Sequence, residues 1–439
     1  MNKKIYIETY GCQMNVADSE TVISIMKTKD FIPESNIENT DIVILNTCSV
    51  RDNAEQKIWN RLDFLKGLKK RKKGLKVGII GCMAQRIGNE LLEHEAVDFV
   101  AGPDSYRYLP DLVNETDIEL KTYKTDFDTT ETYSGIEPLK NEGEISGFIP
   151  ITRGCNNFCS YCIVPYTRGR ERSRSIHDIL NEVKILKENN YKEITLLGQN
   201  VNSYSYDDNG KIYNFPDLIK SVAEEAPEIR VRFTTSHPKD ISDDLIYVIA
   251  GTKNICNHIH LPVQSGSNKV LELMNRKYTR EWYLERIETI KRVIPGCGLS
   301  SDIFCGFSGE TEEDFQQTLD LMEKVRYDSA FMFKYSVRPG TFAAKNLADD
   351  VPENIKVERL SKMIDLQNKI SKKKNKEEIG KTLEVLVEGH SKRSKEMLFG
   401  RTEHNKVVVF PKKDAKKGDF VMVKITEAGS ATLKGEIVS

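Results

Sequence analysis

No stretch of this 439-residue sequence approaches the run of about 18–20 consecutive apolar residues that a membrane-spanning helix requires. The amino terminus, MNKKIYIETYGC, also lacks the apolar core and small-residue cleavage site of a secretory leader, and passes straight into an alternating, strand-like run. A cytoplasmic protein is expected. A disulfide framework is missing too, because nine cysteines are an odd number and a cytosolic chain keeps its thiols reduced. Any cysteines that cluster therefore point to metal binding or catalysis. Net charge is almost absent, at −1, which taken alone argues against the broad basic footprint of a phosphate-binding protein.

What is present is the composition of a soluble globular protein, 39% apolar and 30% charged, in a chain long enough for several domains at roughly 100–200 residues each. The near-zero charge hides segregation. Basic residues concentrate at Lys66 to Lys76, at Arg168 to Arg174 and after Ser371, where 16 Lys or Arg face 10 Asp or Glu. A solvated face is the simplest account of the first run; the basic tail coincides with a change in pattern.

Three early segments, IYIETYGC, DIVILNTC and KVGIIGC, each read as a strand ending in cysteine, and helical spacing separates them. Such alternation predicts a parallel α/β sheet, whose functional crevice lies beyond the carboxyl ends of its strands. Cys12, Cys48 and Cys82 fall at those ends, 36 and 34 residues apart, about one βα unit each. Their alternative is the inert buried role common for free cysteine. An acidic, apolar-poor connector follows, from about Asp111 to Glu144, with ten acidic and three basic residues. Beyond it, FIPITRG, EITLLGQ, RVRFTTS, HIHLPVQ, LSSDIFCGF and SAFMFKYSV are strand candidates separated mostly by helical patterns, which predicts a partial, open barrel. The last part, TLEVLVEGH to ATLKGEIV, is short, β-branched and turn-rich, the pattern of a small all-β barrel.

The most specific chemical signal is Cys155-Asn-Asn-Phe-Cys159-Ser-Tyr-Cys162 in the loop after the first strand of the barrel-like part. Structural zinc needs four closed ligands, and no second CxxC or CxxH pair lies near enough in sequence to complete them. A [4Fe-4S] cluster held by three cysteines leaves one iron open to another ligand. Cys256, Cys297 and Cys305 lack ligand spacing and read as structural, and His237, His258 and His260 receive no catalytic role.

The CxxxCxxC and its strand-to-helix setting resemble the radical S-adenosylmethionine (SAM) superfamily. That resemblance implies an open iron that chelates SAM and cleaves it to a 5′-deoxyadenosyl radical. Tyr161 matches the aromatic position against the adenine, Gly198, Gln199 and Asn200 stand where the superfamily meets the SAM amino group, and Gly306 in DIFCGFSGETEEDF matches the glycine motif that supports the adenine. Ser308 stands where near relatives commonly carry proline. Over nearly its whole length the chain resembles the methylthiotransferase family of these enzymes. GCQMNVADSE, NTCSVRDNAEQK, RGCNNFCSYCIVPYTRGRERSR, LLGQNVNSY and HLPVQSGS are similar to the branch that acts on isopentenyl-modified adenosine of tRNA. Sister branches act on threonylcarbamoyladenosine in tRNA or on a ribosomal protein.

The resemblance implies an α/β fold in three parts: an amino-terminal parallel α/β domain over 1–120 with a second cluster, followed by an acidic linker over 121–144, a radical SAM partial (β/α)6 barrel over 145–373, and an all-β TRAM-type RNA-binding barrel over 374–439. It implies two [4Fe-4S] clusters, one on Cys155, Cys159 and Cys162 and one on Cys12, Cys48 and Cys82, with SAM as cofactor. The reaction it implies is addition of a methylthio group to C2 of N6-isopentenyladenosine at position 37, one SAM methylating the sulfur and one supplying the radical. The partners it implies are a tRNA anticodon stem-loop, gripped in part by Lys392, Arg393 and Lys395, an external electron donor, and a sulfur donor or cluster carrier. No membrane contact is expected, and a monomer is.

Overall fold

The computed structural model describes residues 2–49, 52–118, 121–140 and 143–438; Val50 and Arg51, in the motif around the second cysteine, lie outside them. Six strands, β1 (Lys4–Thr9), β2 (Ile32–Pro33), β3 (Ile42–Thr47), β4 (Lys76–Gly81), β5 (Phe99–Ala101) and β6 (Thr122–Lys124), pair in parallel in the order β2-β1-β3-β4-β5-β6. Helices α1 (Gln13–Lys27), α2 (Asp52–Arg71), α3 (Cys82–Glu93) and α4 (Leu109–Glu115) cover the two faces. β3 is buried along its whole length because both its faces are covered. Ile42 and Ile44 pack with Val22, Ile25 and Met26 of α1, while Val43 and Leu45 pack with Ile58, Leu62 and Leu65 of α2. The helices that follow β1 and β3 thus leave to opposite faces, which opens a crevice between these neighbouring strands at the carboxyl edge.

The acidic stretch 121–144 is more than a connector. Thr122–Lys124 is the sixth strand, and Tyr133 is buried on the α1 face with its hydroxyl donating to the Pro103 carbonyl at 2.7 Å. Its charge misleads because carboxylates such as Asp128 serve local turns, accepting from the backbone of Thr130 and Glu131.

The middle of the chain contains β7 (Ser146–Pro150), β8 (Thr152–Arg153), β9 (Arg172–Ser173), β10 (Glu193–Leu197), β11 (Ser205–Asp208), β12 (Lys211–Asn214), β13 (Arg230–Thr234), β14 (His258–His260), β15 (Gly298–Cys305) and β16 (Ser329–Lys334). β7, β10 and β13 pair in parallel, as do β14, β15 and β16, and a parallel bridge from Val231 to Ile255 joins the triplets. The result is a six-stranded open barrel in the order β7-β10-β13-β14-β15-β16. β8 with β9 and β11 with β12 are short antiparallel ribbons in its loops. The helices are α5 (Val164–Thr167), α6 (Ile176–Glu188), α7 (Phe215–Glu225), α8 (Asp243–Gly251), α9 (Asn268–Leu273), α10 (Arg280–Val293), α11 (Glu312–Val325), α12 (Phe342–Asn346) and α13 (Glu353–Lys376). Capping boxes at Asn214/Asp217 and Thr311/Asp314 start α7 and α11 by satisfying backbone N–H groups that have no partner within the helix.

Five antiparallel or parallel strands, β17 (Thr382–Ser391), β18 (Ser394–Arg401), β19 (Val407–Pro411), β20 (Phe420–Ala428) and β21 (Leu433–Ile437), close into a barrel around Val385, Leu398, Val408, Phe410 and Val423. Closure leaves no sheet edge to protect. This barrel docks on the amino ends of the core strands. Arg230 and Arg232, on β13, donate to the carbonyls of Arg401, Thr402 and Glu403 at 2.8–2.9 Å, and Lys406 pairs with Asp328, just before β16, at 3.0 Å.

Candidate metal and cofactor site

The amino-terminal cysteines are gathered by the sheet. Cys12 follows β1 at the start of α1, Cys48 follows β3, and Cys82 begins α3 directly after β4. Two glycines allow the approach. A β-carbon on Gly11, at φ +127°, would lie 2.5 Å from the Cys48 Cβ, and one on Gly81, at φ +92°, would lie 2.5 Å from the Thr47 carbonyl oxygen. Behind them is a buried amide network: Asn15 Nδ2 donates to Asn46 Oδ1 and to the Thr47 carbonyl at 2.9 Å, and Asn46 Nδ2 donates to the Asn15 carbonyl at 2.8 Å. Cys12 Sγ donates to Asn15 Oδ1 at 3.3 Å. Cys12 is exposed, and Cys48 and Cys82 are buried.

The other three thiols share one loop. Cys155 N donates to the Gly169 carbonyl and Cys162 N to the Cys159 carbonyl, while Ser160 is tied to the end of α9 through the carbonyls of Leu273 and Met274. Arg276 Nη1 donates to Cys159 Sγ at 3.3 Å, its Nη2 being fixed on the Pro262 carbonyl at 2.9 Å. Burial pushes the Cys155 thiol up to about 11 and the Cys162 thiol up to about 12. Thiolates in such surroundings need a cation to replace lost water, which metal binding supplies. Among the described residues no three His, Cys, Asp or Glu side chains converge on a single-ion site.

The two sets of thiols meet through Arg168, six residues beyond Cys162. Its Nε donates to Cys82 Sγ at 3.2 Å and its Nη2 to Asp18 Oδ2 at 2.8 Å. Arg153, two residues before Cys155, donates to the other oxygen of Asp18 at 2.8 Å. Asp18 is fully buried, and although burial raises its pKa, the two guanidinium groups outweigh it and hold the carboxyl below its ordinary value. Sequence reasoning missed Asp18, Arg153 and Arg276. It also read Arg168 to Arg174 as a basic concentration, whereas Arg168, Arg172 and Arg174 are buried and paired with Asp18, Asp104 and Glu182. The signal available was a carboxylate, Asp18, on an otherwise buried helix face.

Near the loop thiols, the carboxyl ends of the core strands carry buried polar atoms without hydrogen-bond partners: Thr152 Oγ1, Gln199 Oε1, Asn200 Oδ1, Ser236 Oγ, Gln264 Oε1 and Ser308 Oγ. Each would cost about 1–3 kcal/mol if nothing bound there, so the belt fits a polar ligand. Asn200 is oriented by its Nδ2, which donates to Asp240 at 2.7 Å. Gly198 has no room for a side chain, since a β-carbon would lie 2.2 Å from Thr152 Oγ1. The Tyr161 ring contacts Phe304 and Phe307, at centroid distances of 5.3 and 6.2 Å. Gly306, at φ +71°, turns the chain after β15 and donates its N–H to Glu310 at 2.6 Å; burial pushes that carboxyl up to about 7. Glu171, which accepts from Ser203 Oγ at 2.7 Å, is also pushed up to about 7 by burial.

Of the remaining candidates, His237 packs edge-on against Tyr278, whose hydroxyl accepts from Arg276, the donor to Cys159. Lys392 and Arg393 form the exposed turn between β17 and β18, with exposed Lys395 beside it. Cys256, Cys297 and Cys305 are buried, with burial pushing their thiols up to about 11, 12 and 12. His237 and His258 are driven down to about 2 and 3, chiefly by burial, and are neutral at pH 7.

Family models agree with this arrangement: the Radical SAM superfamily matches residues 149–322, the uncharacterized protein family UPF0004 matches 4–102, and the TRAM domain matches 376–438. The architecture is similar to the radical S-adenosylmethionine methyltransferase TsrM of Kitasatospora setae, at a TM-score of 0.61 and 12% identity, over 78% of this chain and 74% of that one. The cobalamin-dependent S-adenosylmethionine radical enzyme OxsB aligns at a TM-score of 0.55 and 13% identity, over 82% and 56%. Fold and loop thiols thus define a radical SAM enzyme, a class that implies one [4Fe-4S] cluster and SAM, and the three thiols and the polar belt fit both.

Two relatives carry the comparison further. Both are named tRNA-2-methylthio-N(6)-dimethylallyladenosine synthase: that of Phocaeicola vulgatus is 60% identical over 439 residues, covering 100% of this chain and 96% of its own, and that of Porphyromonas gingivalis is 59% identical over 440 residues, covering 99% and 95%. The chain belongs to the tRNA-2-methylthio-N(6)-dimethylallyladenosine synthase family. No described helix is long and apolar enough to cross a membrane.

Proposed function

We propose that this chain adds a methylthio group to C2 of N6-isopentenyladenosine at position 37 of tRNA, with one SAM methylating the sulfur and a second generating the radical. The observation that carries the reading is Arg168, which leaves the loop of one cysteine trio and hydrogen-bonds a cysteine of the other. Two thiol sets this close suit a reaction in which activation of an unreactive aromatic C–H and delivery of sulfur occur at one base. In this reading Cys155, Cys159 and Cys162 hold the [4Fe-4S] cluster that cleaves SAM, and Cys12, Cys48 and Cys82 hold a second that carries the sulfur. A bound cluster and SAM supply the radical chemistry that side chains cannot.

The protein's own part is binding, orientation and exclusion of water. Gln199 and Asn200 offer unpartnered oxygens to the SAM ammonium group, Gly198 lets the chain approach, Tyr161 walls the adenine side, and Gly306 sets the supporting turn. The base would be splayed from its single-stranded loop into the space between the trios. Lys392, Arg393 and Lys395 would grip phosphates. The barrel that bears them docks on the amino ends of the core strands, so these interactions would fall about 20 Å or more from the modified base, at the rise of about 3.3 Å per strand residue. We take 1–120 as the second-cluster domain, 121–144 as its acidic extension, 145–373 as the radical core and 374–439 as the RNA-binding barrel, with electrons and sulfur delivered by other proteins. The test is to incubate anaerobically reconstituted protein, SAM, a reductant and inorganic sulfide as the sulfur source with tRNA bearing isopentenyladenosine, and to digest the tRNA for nucleoside mass spectrometry. Appearance of the 2-methylthio nucleoside is expected; its absence, with SAM cleavage proceeding, would overturn the substrate assignment.

A further inference from the structure

Arg168 is placed more tightly than an ion pair between domains requires. It is 3% exposed, and each end of its guanidinium fork has a different task. Nη2 is held at 2.8 Å by Asp18, itself anchored by Arg153 at 2.8 Å and by the Tyr106 hydroxyl at 3.3 Å. Nε donates to Cys82 Sγ at 3.2 Å. Nη1 is buried and has no hydrogen-bond partner. The charges around Asp18 are two guanidinium groups and one carboxylate, so the node favours a further anion, and the nearest sulfur is Cys82. The helix that begins with Cys82 also packs on α5, which links Cys162 to Arg168.

We propose that Arg168 is a positioning residue for the amino-terminal cluster: it registers Cys82 against the loop of the other trio, donates one N–H to that sulfur, and keeps its unpartnered Nη1 for an anionic sulfur ligand of the same cluster. This rests on the reading that Cys12, Cys48 and Cys82 bind a cluster. Hydrogen bonds to cluster sulfurs and the local charge set reduction potential, so a guanidinium that donates to Cys82 raises the potential of the cluster this thiol holds. Lysine is not an equivalent replacement, because its ammonium is a single point and cannot serve Asp18 and the sulfur with the geometry of a planar fork. Arg276 offers the same kind of hydrogen bond to Cys159 at 3.3 Å in the other trio, and it supplies the comparison within one molecule.

The experiment uses the full chain with Cys155, Cys159 and Cys162 replaced by alanine, so that any iron reports the amino-terminal trio alone. Arg168→Gln and Arg168→Lys are made in that background, reconstituted anaerobically, counted for iron and sulfide, and titrated for midpoint potential by electron paramagnetic resonance. The expected result is retained iron with a more negative potential in both, the shift being larger for Gln. An unchanged potential in Arg168→Lys would show that charge alone suffices and overturns the proposal; this variant decides the matter if Arg168→Gln does not fold. Absence of iron in the parent background would instead remove the second-cluster reading, and the proposal with it, a failure distinguishable from the first.

Discussion

The core cysteines lie in one loop between residues 155 and 162, whereas the amino-terminal cysteines are brought together from positions 12, 48 and 82 by a parallel sheet. The first arrangement needs only a turn that presents three thiols, and the ties of Ser160 to α9 keep it in place. The second depends on strand register, on two glycines without room for a β-carbon, and on the Asn15–Asn46 network. A local site is specified by spacing and a distributed one by fold. The way to break the difference is to remove each trio in turn. The Cys155/Cys159/Cys162→Ala chain should lose SAM cleavage altogether, while the Cys12/Cys48/Cys82→Ala chain should still cleave SAM to 5′-deoxyadenosine but form no methylthio product. Each should retain about four irons where the wild type is expected to hold about eight. Loss of SAM cleavage in the second chain with its core iron intact would mean the trios do not divide the labour in this way.

The next effect concerns what joins them. Asp18 is buried between Arg153 and Arg168, and removing one member of a buried ionic group strands the others, at a cost of about 3–5 kcal/mol. Asp18→Asn should lower stability to chemical denaturation by that order at pH 7. The folded-state pKa of Asp18 is depressed, so its contribution is fully present above the unfolded value, about 3.9, and is lost as pH falls toward the folded value. The difference between wild type and Asp18→Asn should therefore shrink below about pH 4. A constant difference down to lower pH would show that Asp18 stabilises by packing rather than by charge.

These contrasts also explain what was legible beforehand. The CxxxCxxC declared itself by spacing, the three strand-cysteine segments by alternation, and all six core strands and five barrel strands by their β-branched runs. β5 and β6 are only three residues each, too short for a period to show; β5 pairs beside the longer β4, and β6 adds in turn to β5. The buried arginines were hidden for a different reason. Arg168 and Asp18 are 150 residues apart in the chain, and in a stretch such as RGRERSR nothing local separates a paired guanidinium from a solvated one.

A smaller effect sharpens the core side. Gly198→Ala would force a methyl group against Thr152 Oγ1 at 2.2 Å, and overpacking of this kind costs about 1–3 kcal/mol. A several-fold weaker affinity for SAM, measured calorimetrically on the reconstituted enzyme, is expected with it. The double variant Gly198→Ala/Thr152→Ala should regain part of both, because the second change removes the atom that is struck. No recovery would place the importance of Gly198 in its backbone conformation instead of in this close approach.

The smallest effect lies at the far end of the molecule and serves as a control for both trios. Lys392, Arg393 and Lys395 are exposed at the β17–β18 turn, so replacing all three by alanine should change stability by no more than about 0.5 kcal/mol and leave both iron counts and SAM cleavage without tRNA unaltered. If they touch phosphates, removing each cation should reduce the slope of log affinity against log salt by about 0.7–0.9, and tRNA binding should weaken mainly at low ionic strength. The comparison across salt matters more than one affinity, because a uniform loss at every salt concentration would mean a changed barrel shape. An unchanged slope would assign the grip to other cations of the barrel, with the thiol chemistry at the opposite ends of the core strands unaffected either way.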